Sequence, residues 1–161
     1  MLAIAFYDVM IAAHVASIII AFGVIFAYPA FVPYMMRTNP AAMPALHAVQ
    51  ARVGQRVIAP FGGLALLVGI YLASHAHVWS KVWVTVPLII LLALLASGGM
   101  FFSPLERRMQ EMSERDLGEG GAGALSAEYL ALYQRWRVAG AISCVLVLVA
   151  VFFMVAKPGG A

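Results

Sequence analysis

Apolar residues along this chain gather into four long runs, at about 4–26, 57–72, 82–102 and 138–156, and polar and charged residues collect between them. A helix needs roughly 20 residues to cross a hydrocarbon core about 30 Å thick. With their flanks the runs reach that length, so the pattern predicts four transmembrane helices over 4–28, 55–74, 82–102 and 138–156. The first run has no basic region before it, carries Asp8, and is followed by no small-residue cleavage site. It therefore reads as a retained helix and not as a removable signal.

The connections at 33–54 and 103–137 carry helical patterns of their own. Asn39 before Pro40 is a helix-start signal. Leu46, Val49, Val53 and Val57 then recur at three- and four-residue spacing, so the second helix begins ahead of its membrane span. Ser103-Pro104-Leu105-Glu106 has the spacing of a capping box. Beyond it Leu105, Met109 and Met112 form an apolar stripe, flanked by Glu106, Arg107, Arg108, Glu111, Glu114 and Arg115 as a mixed-charge, solvated face. The third helix is expected to kink at Pro104 and continue outside the membrane. The glycines of Gly118 to Gly123 break it and read as flexible. Ser126 can cap a restart that runs through Leu130, Tyr133 and Trp136 into the fourth span. The predicted fold is an all-α integral membrane protein, a single four-helix bundle over 1–161 with helical cytoplasmic extensions.

Composition agrees: 64% of the residues are hydrophobic, 11% are charged and the mean hydropathy is +0.95, against roughly 25% charged residues in soluble domains. Charge adds orientation. Arg37, Arg52, Arg56, Arg107, Arg108, Arg115, Arg135 and Arg137 lie in or beside the first and third connections, while Lys81 and Lys157 lie on the other side. Because cytoplasmic loops retain Lys and Arg, both termini are expected outside, in a bacterial-type inner membrane. The net charge of +3 then reflects topology and contact with anionic headgroups of the lipid bilayer. No basic patch interleaved with aromatics suggests a nucleic acid partner. The lone Cys144, inside the fourth run, excludes an internal disulfide and reads as a small buried hydrophobe.

Candidate chemistry centres on His14, placed near the middle of the first span. A polar side chain at that depth faces a bundle interior, a partner or a cofactor. Three roles fit it: a hydrogen bond to a hydroxyl or backbone carbonyl of another helix, with Ser17, Ser97, Ser143 or a bound water as candidates; axial ligation of a haem iron; or a proton relay. His47, His75 and His77 lie at other depths, so a haem would take one histidine here. Arg52 and Arg56, one turn apart, either snorkel to headgroups or form an anion or carboxylate site. His75 and His77 form a weak metal-ligand pair beside Trp79 and Lys81, in what otherwise reads as an interfacial segment. No nucleophile with its base, no phosphate-binding glycine loop and no carboxylate pair within a span supports hydrolysis.

The first helix with His14, the Tyr28-Pro29 pair, Arg52 and Arg56 leading into "IAPFGGLALLVGIYL", and the ending "FFMVAKPGG" together resemble the HemJ-type protoporphyrinogen oxidases and the copper-resistance D-like membrane domains. The resemblance covers all four helices loosely and implies a haem b held by His14 and a required lysine at Lys81. This chain departs from the HemJ pattern at "LLALLASGG", where those sequences carry another histidine, and at "RVAGAIS", where they carry an Asn-Glu-x-Pro element. It thus resembles a branch of the superfamily to which fold is transferable and activity is not.

Two classes of function follow. One is a haem- or porphyrin-associated redox module, a membrane oxidoreductase with Lys81 as the candidate catalytic residue and a membrane redox partner. Its glycines, Gly62, Gly63, Gly69, Gly98 and Gly99, would either admit a flat macrocycle or simply pack helices. The other is a non-enzymatic membrane protein: a small-solute or metal permease component, a partner-binding subunit, or a homo-oligomer of either kind.

Overall fold

The computed structural model describes residues 6–118 and 123–160. Four long helices account for most of them: α1 (Phe6–Thr38), α2 (Pro40–His75), α3 (Val82–Leu117) and α4 (Ala127–Ala156). No strand occurs among the described residues. All four are long and apolar enough to cross a membrane. At 1.5 Å per residue the 36-residue α2 and α3 are about 54 Å long, well beyond a core of about 30 Å. Their polar halves, upstream of Gly54 and downstream of Phe102, therefore extend outside the membrane-spanning segments. In the apolar stretches only 6 to 22% of residues are buried by protein, and Ile19, Leu67, Ile89 and Val155 point outward. Those side chains are left for lipid, which replaces the missing half of a soluble core.

The helices change partners along their length. In one half of the bundle Phe6–Phe22 of α1 packs on Ala59–His75 of α2, and Val82–Ser97 of α3 packs on α4. In the other half Met43–Val53 of α2 packs on Ser103–Leu117 of α3. The switch falls at two π-helical segments, Gly54–Ile58 and Gly98–Phe102. One extra residue in a turn rotates everything downstream by about 100°, which carries each helix from one neighbour to the next.

Two cores result. Ala21, Phe22, Ile90, Leu91, Leu94 and Val147 form one, inside the membrane half. Val32, Met43, Met109, Met112, Tyr129, Leu132, Tyr133 and Trp136 form the other, beyond it.

The helix ends follow the sequence in part. Ser126 caps α4, its Oγ accepting the Tyr129 N–H at 3.3 Å. Asp116 draws α3 and α4 together, accepting the Ser126 N–H at 2.9 Å and the Arg115 guanidinium at 2.9 Å. Asn39 separates α1 from α2, but its side chain makes no capping hydrogen bond. The capping box expected at Ser103 to Glu106 does not form either: α3 is already helical there, and the Ser103 N–H bonds back to the Gly98 carbonyl. Most of the glycine break expected at Gly118 to Gly123, and residues 1–5 ahead of the first span, lie outside the described residues.

Candidate functional site

Three of the four helices are interrupted at the same level, each with a glycine six residues ahead of a proline: Gly23 and Pro29, Gly54 and Pro60, Gly98 and Pro104. A proline within a helix has no N–H to donate four residues back, and its ring crowds that carbonyl. In α2 and α3 the residue before the proline reaches five residues back instead, Ala59 N–H to Gly54 and Ser103 N–H to Gly98, which widens the turn into a π segment. In α1 the same spacing gives a tightened 3₁₀ turn over Gly23–Phe26. The three irregular turns leave room between the two cores. A cavity of about 170 Å³ opens there, walled by Phe22, Ile25 and Tyr28 of α1, Ile58 of α2, Leu94 and Phe102 of α3, and Trp136 of α4.

Polar atoms enter this apolar space from three directions. Gln50 is 2% exposed and lines the cavity from α2. Its Oε1 lies 2.8 Å from His47 Nδ1, and His47 Nε2 lies 2.7 Å from the Tyr129 hydroxyl. An amide oxygen only accepts, so Nδ1 carries the ring proton. Burial holds the imidazole below its ordinary pKa and therefore neutral, so Nε2 accepts from the Tyr129 O–H. In this arrangement the amide turns its oxygen toward His47 and its nitrogen away. The remaining group, Gln50 Nε2, is buried with no hydrogen-bond partner in the protein. Buried amide donors are satisfied as a rule, and one left open beside a cavity is positioned to meet something that enters it.

Glu106 enters from α3 and is 7% exposed. Trp136 Nε1–H donates to its Oε1 at 3.2 Å. Burial pushes its carboxyl up to about 7, despite that hydrogen bond, which acts in the opposite direction. Arg137 of α4 also lines the cavity, and with Gln55 and Gly99 it forms an exposed rim. Sequence reasoning placed Glu106 on a solvated face. The structure corrects this: the inward face of α3 carries Glu106, Met109, Ser113 and Asp116, at spacings of three and four, so the polar residues share the buried stripe.

His14 lies elsewhere. Its Nδ1–H donates to the Ala65 carbonyl of α2 at 2.8 Å, the cross-helix backbone bond that was one of its three expected roles. This leaves Nε2 as the basic nitrogen of the neutral ring. The imidazole is seated against Gly69, where a Cβ would lie 3.0 Å from His14 Cε1, so the glycine is what allows the two helices to close over it. His14 does not line the four-helix cavity. A space of 170 Å³ compares with the engineered cavity of about 150 Å³ that takes benzene, and a porphyrin is several times larger. Among the described residues, no histidine, cysteine or methionine lines the four-helix cavity.

The remaining sequence candidates are dispersed. Arg52 and Arg56 are exposed on α2. Lys81 stands at the start of α3, on a different helix pair from His14. His75 stacks between Tyr71 and Tyr7, with ring centroids 5.8 and 5.3 Å away, while His77 occupies an exposed turn with φ of 54°. Among the described residues no three His, Cys, Asp or Glu side chains gather as a metal-binding group. Cys144 Sγ lies 3.7 Å from the Ile25 carbonyl of α1, a packing contact between helices. Of the glycines, Gly62 and Gly69 sit at close approaches, whereas nothing lies within 4 Å of a Cβ placed on Gly63, Gly98 or Gly99.

Gln50, His47, Tyr129, Glu106 and Trp136 went unread in the sequence as a group. Two signals could have found them: the thrice-repeated glycine-to-proline spacing, which marks one level of the bundle, and the carboxylate set on the spacing of an inward stripe. Compared with models of protein families, with curated proteins and with solved structures, the chain matches none.

Proposed function

We propose that this protein is a multi-pass membrane protein that binds a small, mostly apolar solute between its four helices, as a permease component does. The observation that carries this reading is the 170 Å³ cavity lined by Gln50, whose buried amide N–H group has no partner in the protein. Small-molecule sites are concave and apolar with a few fixed polar groups, and helix bundles build them between facing helices. The arginines beside the first and third connections support a cytoplasmic cavity rim, with both termini outside a bacterial-type inner membrane.

Trp136 in the cavity wall is a built-in reporter. With Trp79 and Trp83 replaced by Phe, titration of the detergent-purified protein with benzyl alcohol is expected to shift its emission saturably. Ser143→Leu, which fills the cavity from α4, is expected to abolish the shift. A response that does not saturate and is equal in both proteins rejects the reading.

A redox module with haem on His14 is a second reading, and the Nδ1 bond to Ala65 favours it by leaving Nε2 as the basic ring nitrogen. Such a haem would sit outside the four-helix cavity. A Soret band in protein purified from haem-replete cells, lost in His14→Ala, supports it. A colourless, folded native protein that stays colourless after haem addition ends it.

A further inference from the structure

Besides its apolar walls, the cavity offers an amide donor with no partner, a carboxyl group and a guanidinium at the rim. Glu106 and Arg137 are the two side chains in its wall that can carry full charge. Tyr28 from α1 and Trp136 from α4 meet Glu106, and Arg137 from α4 and the uncharged Gln50 and Gln55 from α2 line the same cavity. With Glu106 ionised, the cavity holds a balanced pair of charges and a carboxylate that repels other anions. With Glu106 protonated, it holds one net positive charge, the Gln50 donor and a carboxyl O–H donor, all beside apolar surface. That second state suits a ligand with an anionic, hydrogen-bond-accepting head and a compact apolar body.

We propose that the cavity binds a small monocarboxylate, its carboxylate held by the Gln50 amide and Arg137, and that each anion enters together with one proton taken up by Glu106. The inference rests on the solute-binding reading above and names its solute class. Size and walls select the body: a single ring or short branched chain fits 170 Å³. Geometry selects the head, since the amide end turned away from His47 is the N–H end. The burial that lifts Glu106 to about 7 sets the protonation step in the physiological range.

The test uses the full chain in detergent with the Trp136 reporter and two probes of one size: benzoate, ionised throughout, and neutral benzyl alcohol. Both are titrated at about pH 6 and about pH 8, which place most Glu106 side chains in opposite protonation states. Native protein should bind benzoate about tenfold more tightly at the lower pH, as the competent fraction falls about tenfold between the two. Benzyl alcohol should bind equally at both. Glu106→Gln, permanently neutral and still an acceptor for Trp136, should bind benzoate equally at both pH values, as tightly as native protein does in acid. Gln50→Leu should weaken benzoate by roughly tenfold or more.

Benzoate binding that ignores pH in the native protein, or keeps its pH dependence in Glu106→Gln, overturns the proton coupling. Benzyl alcohol bound without benzoate overturns the monocarboxylate class and leaves the cavity reading standing. If neither probe binds, both readings fall.

Discussion

A carboxylic acid whose folded-state pKa stands above its unfolded value is stable when protonated and destabilising when ionised. Glu106 is such a group, at about 7 folded against 4.5 unperturbed, because Phe102, Trp136 and the apolar cavity wall keep water away from it. Its stabilising contribution is complete below about pH 4.5, is lost as pH rises through about 7, and amounts to about 3 kcal/mol. Thermal unfolding in detergent should therefore show a midpoint that falls between pH 5 and pH 8, with Glu106→Gln removing most of that fall. An equal fall in the variant would mean that Glu106 titrates as an exposed carboxylate. His47 shows the complementary case: a buried imidazole kept neutral by burial, bonded through its two nitrogens to Gln50 Oε1 and the Tyr129 hydroxyl.

At the scale of elements, the π turns of the bundle lie where a proline follows a glycine by six residues. Pro60 and Pro104 each remove one backbone donor, and the turn ahead of each becomes a π segment beginning at a glycine. Restoring the donor with Pro104→Ala lets that turn relax toward regular α-helix. That relaxation rotates Ser103–Leu117 about its axis and swings Glu106 away from Trp136. Circular dichroism should show unchanged helix content, while the Trp136 response to benzyl alcohol weakens severalfold or disappears. Full retention of that response would show that packing of Met109 and Met112, and not the proline, sets the rotation. The stripe rule located Met109 and Met112 correctly from sequence. It misplaced Glu106 because charge was read as exposure, although position 106 lies on the same face as 109 and 113.

For the whole molecule, the distribution of arginine gives orientation a physical basis. Segments bearing Arg52, Arg56, Arg107, Arg108, Arg115 and Arg137 are expected to stay cytoplasmic, because translocating them opposes both charge and hydration. In a Cys144→Ser background, Ser80→Cys should react with a membrane-impermeant thiol reagent added to intact cells, and Glu111→Cys should react only after lysis. The reverse pattern inverts the topology and would place the cavity rim on the outer side.

Hydrophobic runs, their lengths and the Ser126 cap were sufficient to foretell four membrane-length helices, polar helical extensions on the second and third, and an inward-facing His14. These depend on local periodicity and on the impossibility of leaving polar backbone or an imidazole unpaired in lipid, which one chain displays without reference to its neighbours. The cavity, the orphan amide of Gln50, the burial of Glu106 and the distance of His14 from both were decided only in three dimensions. Each depends on the rotation of one helix against another, and that rotation is set by single extra residues in π turns that shift a whole helical face without altering the hydrophobic pattern from which the helices were read.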